Sequence, residues 1–526
     1  MDPSIILPTD VFDKTLLTGM LVDWWPVLRA VCRAWRMRVR AALNEITNSG
    51  ARRPYPAFTF AGGDNTRLLE WAYAQIFAKK PTKKQKRNER ILSKAFASNC
   101  LIEAAKSGLI KCAQLCIGYG ADQETRVAFE THHYTAIELA GAHGQTSLVR
   151  LLIQGSSGAL QSVTAALYAA ASHGQLDVIQ FALQWFKLDE AKSSQTSGGT
   201  TKTLLYITEA MARAARSAKN STVSVMRELF NYEPAYFKKH NEYTRPILCE
   251  AAASGHVPTL EWVIANLGVY PAFPMVGAIE AARNGHVEPI SICASLDGAN
   301  SAEIYEECAL TGASEGHLNV VRHCCARTTL GLKQVAMNAA GGGHSAIAIY
   351  CVDAGATNAT AIVLEMLVQD FAASAVTCIQ AFGSKIDKIG DVLRQAASCG
   401  AMTAVTACID RGCDPRALSD ALCRAARSSR HEVMHVLKKA GATGYGEAMV
   451  EAAKSNDAEG VSICASFGAG PAYLEQAFVV AAREDREKAL RECKKLGAVS
   501  YLVALRAAPA GSATKYICEQ WLGHHA

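Results

Sequence analysis

Four histidines recur at one place in a periodic pattern, and they are the first residues to consider for chemistry. His256, His286, His317 and His344 each follow a glycine, and an imidazole can act as a general base or bind a metal. A catalytic histidine needs a nucleophile within reach, and no partnered nucleophile accompanies these four. The sequence also has no phosphate-binding P-loop and no Gly-x-Ser-x-Gly motif. We therefore predict that the chain is not an enzyme.

Cysteine is the other residue type that could bind a metal or act as a nucleophile. The chain has 18 cysteines and no C-x-x-C pair. Cys112 and Cys116 stand four residues apart on a predicted helix, but no further pair follows at zinc-finger spacing. The sequence starts without a signal segment and contains no apolar run of about 18 residues. We expect reduced, buried thiols in an intracellular protein, with no metal, no cofactor and no membrane span.

The elements that carry these residues are periodic. Two alanines, two variable residues and a glycine recur, as in residues 104–108, 251–255 and 281–285. We number this glycine as position zero. It falls at residues 108, 144, 174, 218, 255, 285, 316, 343, 370, 400, 429, 456, 485 and 511, which gives 14 units with a mean spacing of about 31 residues. Position zero is not glycine in five units, which have Ala218, Asp370, Ser429, Asn456 and Asp485.

Cysteine supports this register, because position +8 is cysteine in eight of the units. These residues are Cys116, Cys293, Cys324, Cys351, Cys378, Cys408, Cys464 and Cys493. In each unit a first helix ends at the alanine pair, the residue at position zero takes the left-handed conformation, and a second helix follows with one apolar face. One such pair cannot bury both faces, so neighbouring pairs must stack. The sequence predicts an all-α repeat solenoid with almost no strand.

The pattern resembles the ankyrin repeat. The family's second-helix consensus is visible in residues 174–183 and 316–325, and residues 135–140 come nearest to its first-helix signature. Many spacings of 27 to 31 residues fall short of the usual 33 or so, which implies a trimmed finger between repeats. The longer spacing from 108 to 144 contains residues 131–134, where we expect an extended finger. The resemblance covers about residues 90–520 and implies a stack of helix pairs that binds other proteins.

The first 46 residues follow a different pattern. Leu7 and Pro8 precede an amphipathic run, and proline suits the first turn of a helix. Further on, Leu28, Val31 and Trp35 lie on one face of a predicted helix. Both stretches therefore predict a small helical module.

This module resembles an F-box. Residues 7–10 match the family's Leu-Pro-x-(Asp/Glu) start, and residues 31–36 match its Val-Cys-(Arg/Lys)-x-Trp-(Arg/Lys) segment in full, whereas residues 23–26 depart from its usual turn. The resemblance implies binding to a Skp1-like adaptor of a cullin-RING ubiquitin ligase. On this resemblance, each of eight residues either contacts the adaptor or packs the helices of the module. They are Leu7, Pro8, Val11, Phe12, Leu16, Leu28, Val31 and Trp35. The alternative is an N-terminal helical cap on the first repeat.

Charge separates the N-terminal region from the repeats. Residues 1–97 hold 17 Lys and Arg against 8 Asp and Glu, although the whole chain has a net charge of only +6. The basic run at residues 79–87 suits a nuclear-import signal or contacts with nucleic-acid phosphates. No aromatic residues accompany it on which bases could stack. We therefore favour a solvated linker and do not expect nucleic acid as a partner. We assign residues 1–46 to the F-box-like module, 47–90 to a degenerate first repeat and basic linker, and 91–526 to about 14 ankyrin-type repeats.

Position −2 is basic in six units, and equivalent positions align in a stacked array. These residues are Lys106, Arg216, Arg283, Arg427, Lys454 and Arg483. The last three could form a basic stripe for an acidic partner. The alternative is the general preference for cations at the carboxyl end of a helix.

These observations favour a protein-interaction adaptor. On this interpretation residues 1–46 recruit the ubiquitin ligase, the repeats bind a target protein, and there is no small-molecule substrate. Ankyrin and F-box combinations recur in large DNA viruses, so the resemblance suggests a host-directed viral protein in the cytoplasm or nucleus. One alternative is a scaffold or sequestering protein whose N-terminus is only a cap. Another is a nuclear or nucleic-acid-associated protein that depends on the basic run.

Overall fold

The computed structural model describes residues 85–129, 132–154, 156, 158–192, 199–217, 219–239, 244–268, 273–297, 300–328 and 330–523. The F-box-like module predicted at residues 1–46 lies outside these residues, as do its eight predicted adaptor-binding residues and residues 79–84 of the basic run. Helices make up 77% of the described chain and strands make up very little of it, which confirms the all-α prediction.

The chain divides into two compact units, with the boundary between Gly277 and Ala278. The helices of the first unit are α1 (Gln85–Ser107), α2 (Ile110–Gly118), α3 (Ala136–Ala142), α4 (Thr146–Gln154), α5 (Ala159–His173), α6 (Leu176–Lys192), α7 (Gly199–Ser217), α8 (Thr222–Phe230), α9 (Pro234–Lys239), α10 (Thr244–Ala253) and α11 (Val257–Leu267). Helix α12 (Phe273–Arg283) contains the boundary.

The helices of the second unit from α13 onward are 7 to 15 residues long. They are α13 (Val287–Leu296), α14 (Ser301–Glu315), α15 (Leu318–Cys325), α16 (Leu332–Gly341), α17 (Ser345–Asp353), α18 (Ala359–Val368), α19 (Ala372–Phe382), α20 (Ile389–Cys399), α21 (Met402–Asp410), α22 (Pro415–Arg427), α23 (His431–Lys439), α24 (Tyr445–Lys454), α25 (Ala458–Phe467), α26 (Pro471–Arg483), α27 (Glu487–Lys495), α28 (Tyr501–Ala507) and α29 (Ala513–Gly523). A 3₁₀ turn at Gly383–Lys385 follows α19.

Two short strands interrupt the helices of the first unit. Strands β1 (Val127–Phe129) and β2 (His132–Tyr134) pair antiparallel, with Val127 opposite Tyr134. This hairpin lies in the long spacing where the sequence predicts an extended finger.

Within each compact unit the helices form two layers. In the first unit α1, α3, α5, α7 and α10 pack each on the next, and α2, α4, α6, α8 and α11 do the same in the other layer. In the second unit the helices from α14 to α28 with even numbers form one layer, and those from α13 to α29 with odd numbers form the other. We call the two helices on either side of a position-zero residue a helix pair. Within each unit, the pairs joined in these layers bury their apolar faces against neighbouring pairs.

Every described residue at position zero has a positive φ. The glycines range from +72° at Gly255 to +89° at Gly316, and the four other residues, Asp370, Ser429, Asn456 and Asp485, range from +54° to +66°. This left-handed region is unfavourable for most L-residues because Cβ approaches the carbonyl oxygen. The conformation ends the first helix of each pair and turns the chain into the second.

The cysteines at position +8 lie in the core of the helix layers. All eight are fully buried, and so are the alanine pairs that precede position zero, such as Ala281 with Ala282 and Ala396 with Ala397. A buried cysteine behaves as a small apolar residue, and alanine lets neighbouring helices approach closely. Among the described helices, none is both long and apolar enough to cross a membrane.

Candidate interaction surface

The turn of one helix pair is covered by a side chain from the next pair. In the second unit the covering residue is at position +1 and lies over the preceding position-zero glycine. These pairs are His317 over Gly285, His344 over Gly316, Phe371 over Gly343 and Arg430 over Gly400. A Cβ atom at any of these glycines would come within 2.6 to 2.9 Å of the covering side chain. Glycine is therefore required here both by its φ and by its neighbour.

The histidines of this column join neighbouring helix pairs. Nε2 of His317 lies 2.8 Å from the carbonyl oxygen of Arg283, and Nε2 of His344 lies 2.8 Å from that of Ser314. A carbonyl oxygen can only accept, so each Nε2 must carry the proton that is donated. The imidazoles thus satisfy carbonyls at the carboxyl end of the first helix of the preceding pair, which is a structural role.

Two of the residues that replace glycine at position zero bind the next helix pair. Asn456 Oδ1 accepts hydrogen bonds from the backbone N–H groups of Lys488 at 3.0 Å and Ala489 at 3.2 Å. Asp485 Oδ1 accepts from the backbone N–H of Thr514 at 3.0 Å and from its hydroxyl at 3.0 Å. Both side chains thus satisfy N–H groups in the first turn of α27 or α29, which otherwise lack an intrahelical partner.

The predicted basic stripe is partly neutralised by a carboxylate. Glu451 accepts from Nε of Arg427 at 2.6 Å and from Nζ of Lys454 at 2.8 Å. Burial raises the pKa of Glu451, but the hydrogen bonds from Lys454 and Arg427 outweigh it, so the net pKa is lowered. Arg483, the third predicted residue, is exposed and makes no ion pair within the described ranges. The three residues therefore do not act as three equal free cations.

The other basic residues at position −2 also have carboxylate partners. Lys106 pairs with Glu103 at 2.8 Å and Arg283 pairs with Glu280 at 2.5 Å, each within one helix. Arg216 forms a bidentate pair with Glu250 of a neighbouring helix in the first unit. The carboxylates in all these pairs are at position −5, a column that the sequence displays and that sequence reasoning did not use.

Sequence reasoning also missed four exposed residues near the position-zero turns of the second unit. Val368 is 59% exposed at position −2 of its unit, and Phe371 is 37% exposed at position +1. Arg424 and Arg430 are exposed at positions −5 and +1 of the unit centred on residue 429. The sequence does single out Phe371, because it is the aromatic residue at position +1, where the residues from 317 to 430 are otherwise mainly polar.

The buried cysteines are poor nucleophiles. Burial raises the pKa of Cys324, Cys351 and Cys408 to about 12, and the same holds for Cys378, Cys464 and Cys493. A hydrogen bond with Cys100, together with burial, raises the pKa of Cys116. The thiolate is the reactive form, so these thiols stay protonated and inert near neutral pH.

One sequence motif of metal chemistry is present and was overlooked in the sequence. Residues 431–435 read His-Glu-Val-Met-His, which matches the zinc-binding His-Glu-x-x-His pattern. In the structure Nε2 of His431 lies 2.8 Å from Oδ2 of Asp457, whereas the His435 ring packs edge-on against Phe467 at 5.2 Å. Across the described part of the chain, no group of three or more His, Cys, Asp or Glu residues is placed to hold a metal ion. The motif here serves packing between helix pairs.

One hydroxyl and one imidazole lie close enough to suggest a nucleophile and its base. Ser291 Oγ lies 2.9 Å from His323 Nε2, and burial followed by the charge of Arg327 lowers the pKa of His323. The His323 ring contacts Tyr305 at 6.0 Å, and among the described residues no carboxylate is hydrogen-bonded to it. An orienting acid is what normally completes such a pair, so this contact supports no hydrolytic site.

No protein-family model matches the chain, and a search of curated proteins finds no significant match.

Proposed function

We propose that the chain is a non-enzymatic protein-interaction adaptor, built of ankyrin-type repeats with an F-box at residues 1–46. The repeats would bind a target protein, and the F-box would dock on a Skp1-like adaptor of a cullin-type ubiquitin ligase. The observation that carries the repeat assignment is the positive φ at every described position zero, from Gly108 to Gly511. A chain that repeats one turn at a regular spacing builds a long surface of equivalent positions, which suits protein recognition.

The F-box part of the proposal is supported by the sequence. Residues 31–36 match the family's Val-Cys-(Arg/Lys)-x-Trp-(Arg/Lys) segment, which is the more specific of the two matches, and residues 7–10 match its start. This division of labour places recruitment at the N-terminus and target choice on the repeats. It implies a site of action in the cytoplasm or nucleus, where ubiquitin ligases of this class work.

The test is binding of a purified Skp1-like adaptor to the full chain and to its Leu7→Ala/Trp35→Ala variant. A matched control is Leu188→Ala/Tyr516→Ala, because both residues are exposed on described helices. Circular dichroism would first confirm that all three proteins have the same helix content. We expect tight binding that is lost only in the first variant. Absence of binding at tens of micromolar, or equal binding by both variants, would instead favour a scaffold with an N-terminal cap.

A further inference from the structure

We propose that a strip on the second compact unit binds an extended, acidic peptide segment of a partner protein. The strip is defined by Val368 and Phe371 at its apolar end, Ala401 in the middle, and Arg424 and Arg430 at its basic end. The apolar end would hold one apolar side chain of the peptide, and the basic end would bind its carboxylates. This inference deepens the proposed function, on which it rests only in that the repeats bind a protein.

The apolar end contains the aromatic residue of a position +1 series that is otherwise mainly polar. The neighbouring position +1 residues His317 and His344 hydrogen-bond to the preceding pair, whereas Phe371 places its ring over Gly343. Phe371 is 37% exposed, and Val368, three residues before it, is 59% exposed. An exposed aromatic and an exposed aliphatic residue around one turn offer apolar surface that water solvates poorly.

The surroundings of the apolar end set the polarity of the strip. Asp370, between Val368 and Phe371 in sequence, is exposed and has a φ of +66°. Glu365 on α18 accepts a hydrogen bond from Gln369 at 3.0 Å. Both carboxylates would repel an acidic residue or a nucleic-acid phosphate at this end. The acidic residues of the peptide must therefore lie at the other end of the strip.

The basic end holds two arginines that retain their charge for a partner. Arg424 is exposed and makes no ion pair within the described ranges. Among the same residues, the Arg430 side chain makes one long hydrogen bond, of 3.4 Å, to the carbonyl oxygen of Ser398 and no ion pair. Arg427, between them, is already paired with Glu451. Guanidinium groups favour carboxylate ligands, because each can donate two parallel hydrogen bonds.

The distance between the two ends fixes the spacing in the peptide. Val368 ends α18, Arg424 lies on α22, and α20 packs between these two helices. Packed helices are about 8–10 Å apart, so two steps span roughly 16–20 Å. An extended chain covers about 3.3 Å per residue, so the apolar and acidic residues should be about five or six positions apart.

The test is selection of a displayed library of random peptides, each about 12 residues long, on the full chain. We expect enriched peptides with an apolar residue and, about five or six positions away, one or two acidic residues. A synthetic copy of the best peptide should lose affinity as salt concentration rises, since part of its binding is ionic. No enrichment, enrichment without acidic residues, or competition by a single-stranded oligonucleotide would overturn the proposal.

The variants use residues that other units carry at the same positions, so the fold should tolerate them. Val368→Ser/Phe371→His removes the apolar end. Its new residues occur at the same positions of other units, as Ser314 and His344. Arg424→Gln/Arg430→Gln removes the basic end, and its new residues occur in other units as Gln395 and Gln145. Val499→Ser/Arg506→Gln is the control, because both residues are exposed on or beside α28. Each strip variant should weaken peptide binding by about tenfold or more, and the control should not.

Failure of this proposal can be told apart from failure of the adaptor proposal. Adaptor binding by the strip variants should match that of the unmodified chain, and Leu7→Ala/Trp35→Ala should bind the selected peptide normally. Peptide affinity that is unchanged in both strip variants would overturn the strip, whatever the adaptor experiment shows.

Discussion

The Nε2 atom of His317 lies 2.8 Å from the carbonyl oxygen of Arg283, one helix pair earlier in the second unit. The same imidazole covers Gly285, whose φ is +82°. One side chain therefore both satisfies a helix-end carbonyl and packs against the turn that ends the helix. The contact couples this helix pair to the one before it, so each of the two pairs adds to the stability of the other.

Loss of this imidazole should loosen the turn locally. We expect His317→Ala to lower the free energy of local opening in α15 by about 1 kcal/mol, because one hydrogen bond is lost and a helix-end carbonyl loses its partner. Hydrogen exchange of the α15 amides measures that free energy directly. His317→Gln should recover much of it, since Gln145 and Gln175 occupy the equivalent position in the first unit. Equal exchange in the alanine variant and the unmodified chain would contradict this role.

Substitution by glycine should change the stability in different ways at two position-zero residues, Ser429 and Asn456. Ser429 has a φ of +54° and its side chain makes no hydrogen bond among the described residues, so Ser429→Gly should relieve strain and stabilise the turn by about 0.5–1 kcal/mol. Asn456 has a φ of +61°, but its Oδ1 caps α27, so Asn456→Gly should gain nothing or destabilise by about 1 kcal/mol. Urea unfolding of both variants tests the difference, and a similar gain in both would show that the Asn456 cap contributes little.

The period of the fold could be predicted from the sequence, whereas contacts between helix pairs could not. A column of cysteines indicated the register, and the structure buries every one of them. Asp370 and Asn456 looked like exceptions at position zero, yet both adopt the left-handed turn. That Asn456 also caps the next pair depends on how closely α27 approaches it, and spacing along one chain does not contain that distance.

On the candidate surface, too, the sequence predicts which residues recur, but not which contacts they make between helix pairs. Arg427 and Lys454 could be chosen as a basic column from the sequence alone. That Arg427 of one helix pair shares Glu451 of the next with Lys454 follows from the packing of α22 on α24. Exposure of Val368 and Phe371 likewise depends on the shape of the turn around them. Local pattern sets the elements, and the approach of neighbouring elements sets which charges and apolar groups remain free.

The buried thiols should make the second unit sensitive to alkali. Below about pH 9 the thiols are protonated in both the folded and the unfolded state, so they contribute no pH dependence. Above that pH the unfolded thiols ionise, but those of Cys351 and Cys408 have a pKa of about 12 in the folded state and stay protonated. Each such thiol should lower the free energy of unfolding by about 1.4 kcal/mol per pH unit between those values.

Urea unfolding in reducing buffer from about pH 8 to pH 11 measures this slope. The variant Cys351→Ala/Cys408→Ala should unfold more easily at pH 8 because it leaves small cavities, yet its slope above pH 9 should be shallower by about two protons. Alanine is tolerated at this position, since Ala182 occupies it in the first unit. Because lysine and tyrosine also titrate, the difference between the two proteins isolates the thiols. Equal slopes would contradict the buried, protonated state.

The carboxylate of Glu451 should stabilise the contact between α22 and α24 in a pH-dependent way. Its net pKa is lowered in the folded state, so its contribution is present above its ordinary value of 4.5 and is lost as the pH falls through the lower folded value. Arg427 is about half exposed, which limits the expected loss in Glu451→Gln at neutral pH to about 1 kcal/mol or less.

The pH profile separates this pair from simple packing. The stability difference between the unmodified chain and Glu451→Gln should be present at pH 7 and shrink as the pH falls below 4.5 and through the lower folded pKa, because protonated Glu451 no longer attracts Arg427 and Lys454. Hydrogen exchange at the carboxyl end of α22 measures this difference. Glu487→Gln is the control because, among the described residues, Glu487 forms its ion pair with Arg491 of its own helix. A difference that stays constant from pH 7 to about pH 3 would mean that the side chain acts through shape and not through its charge.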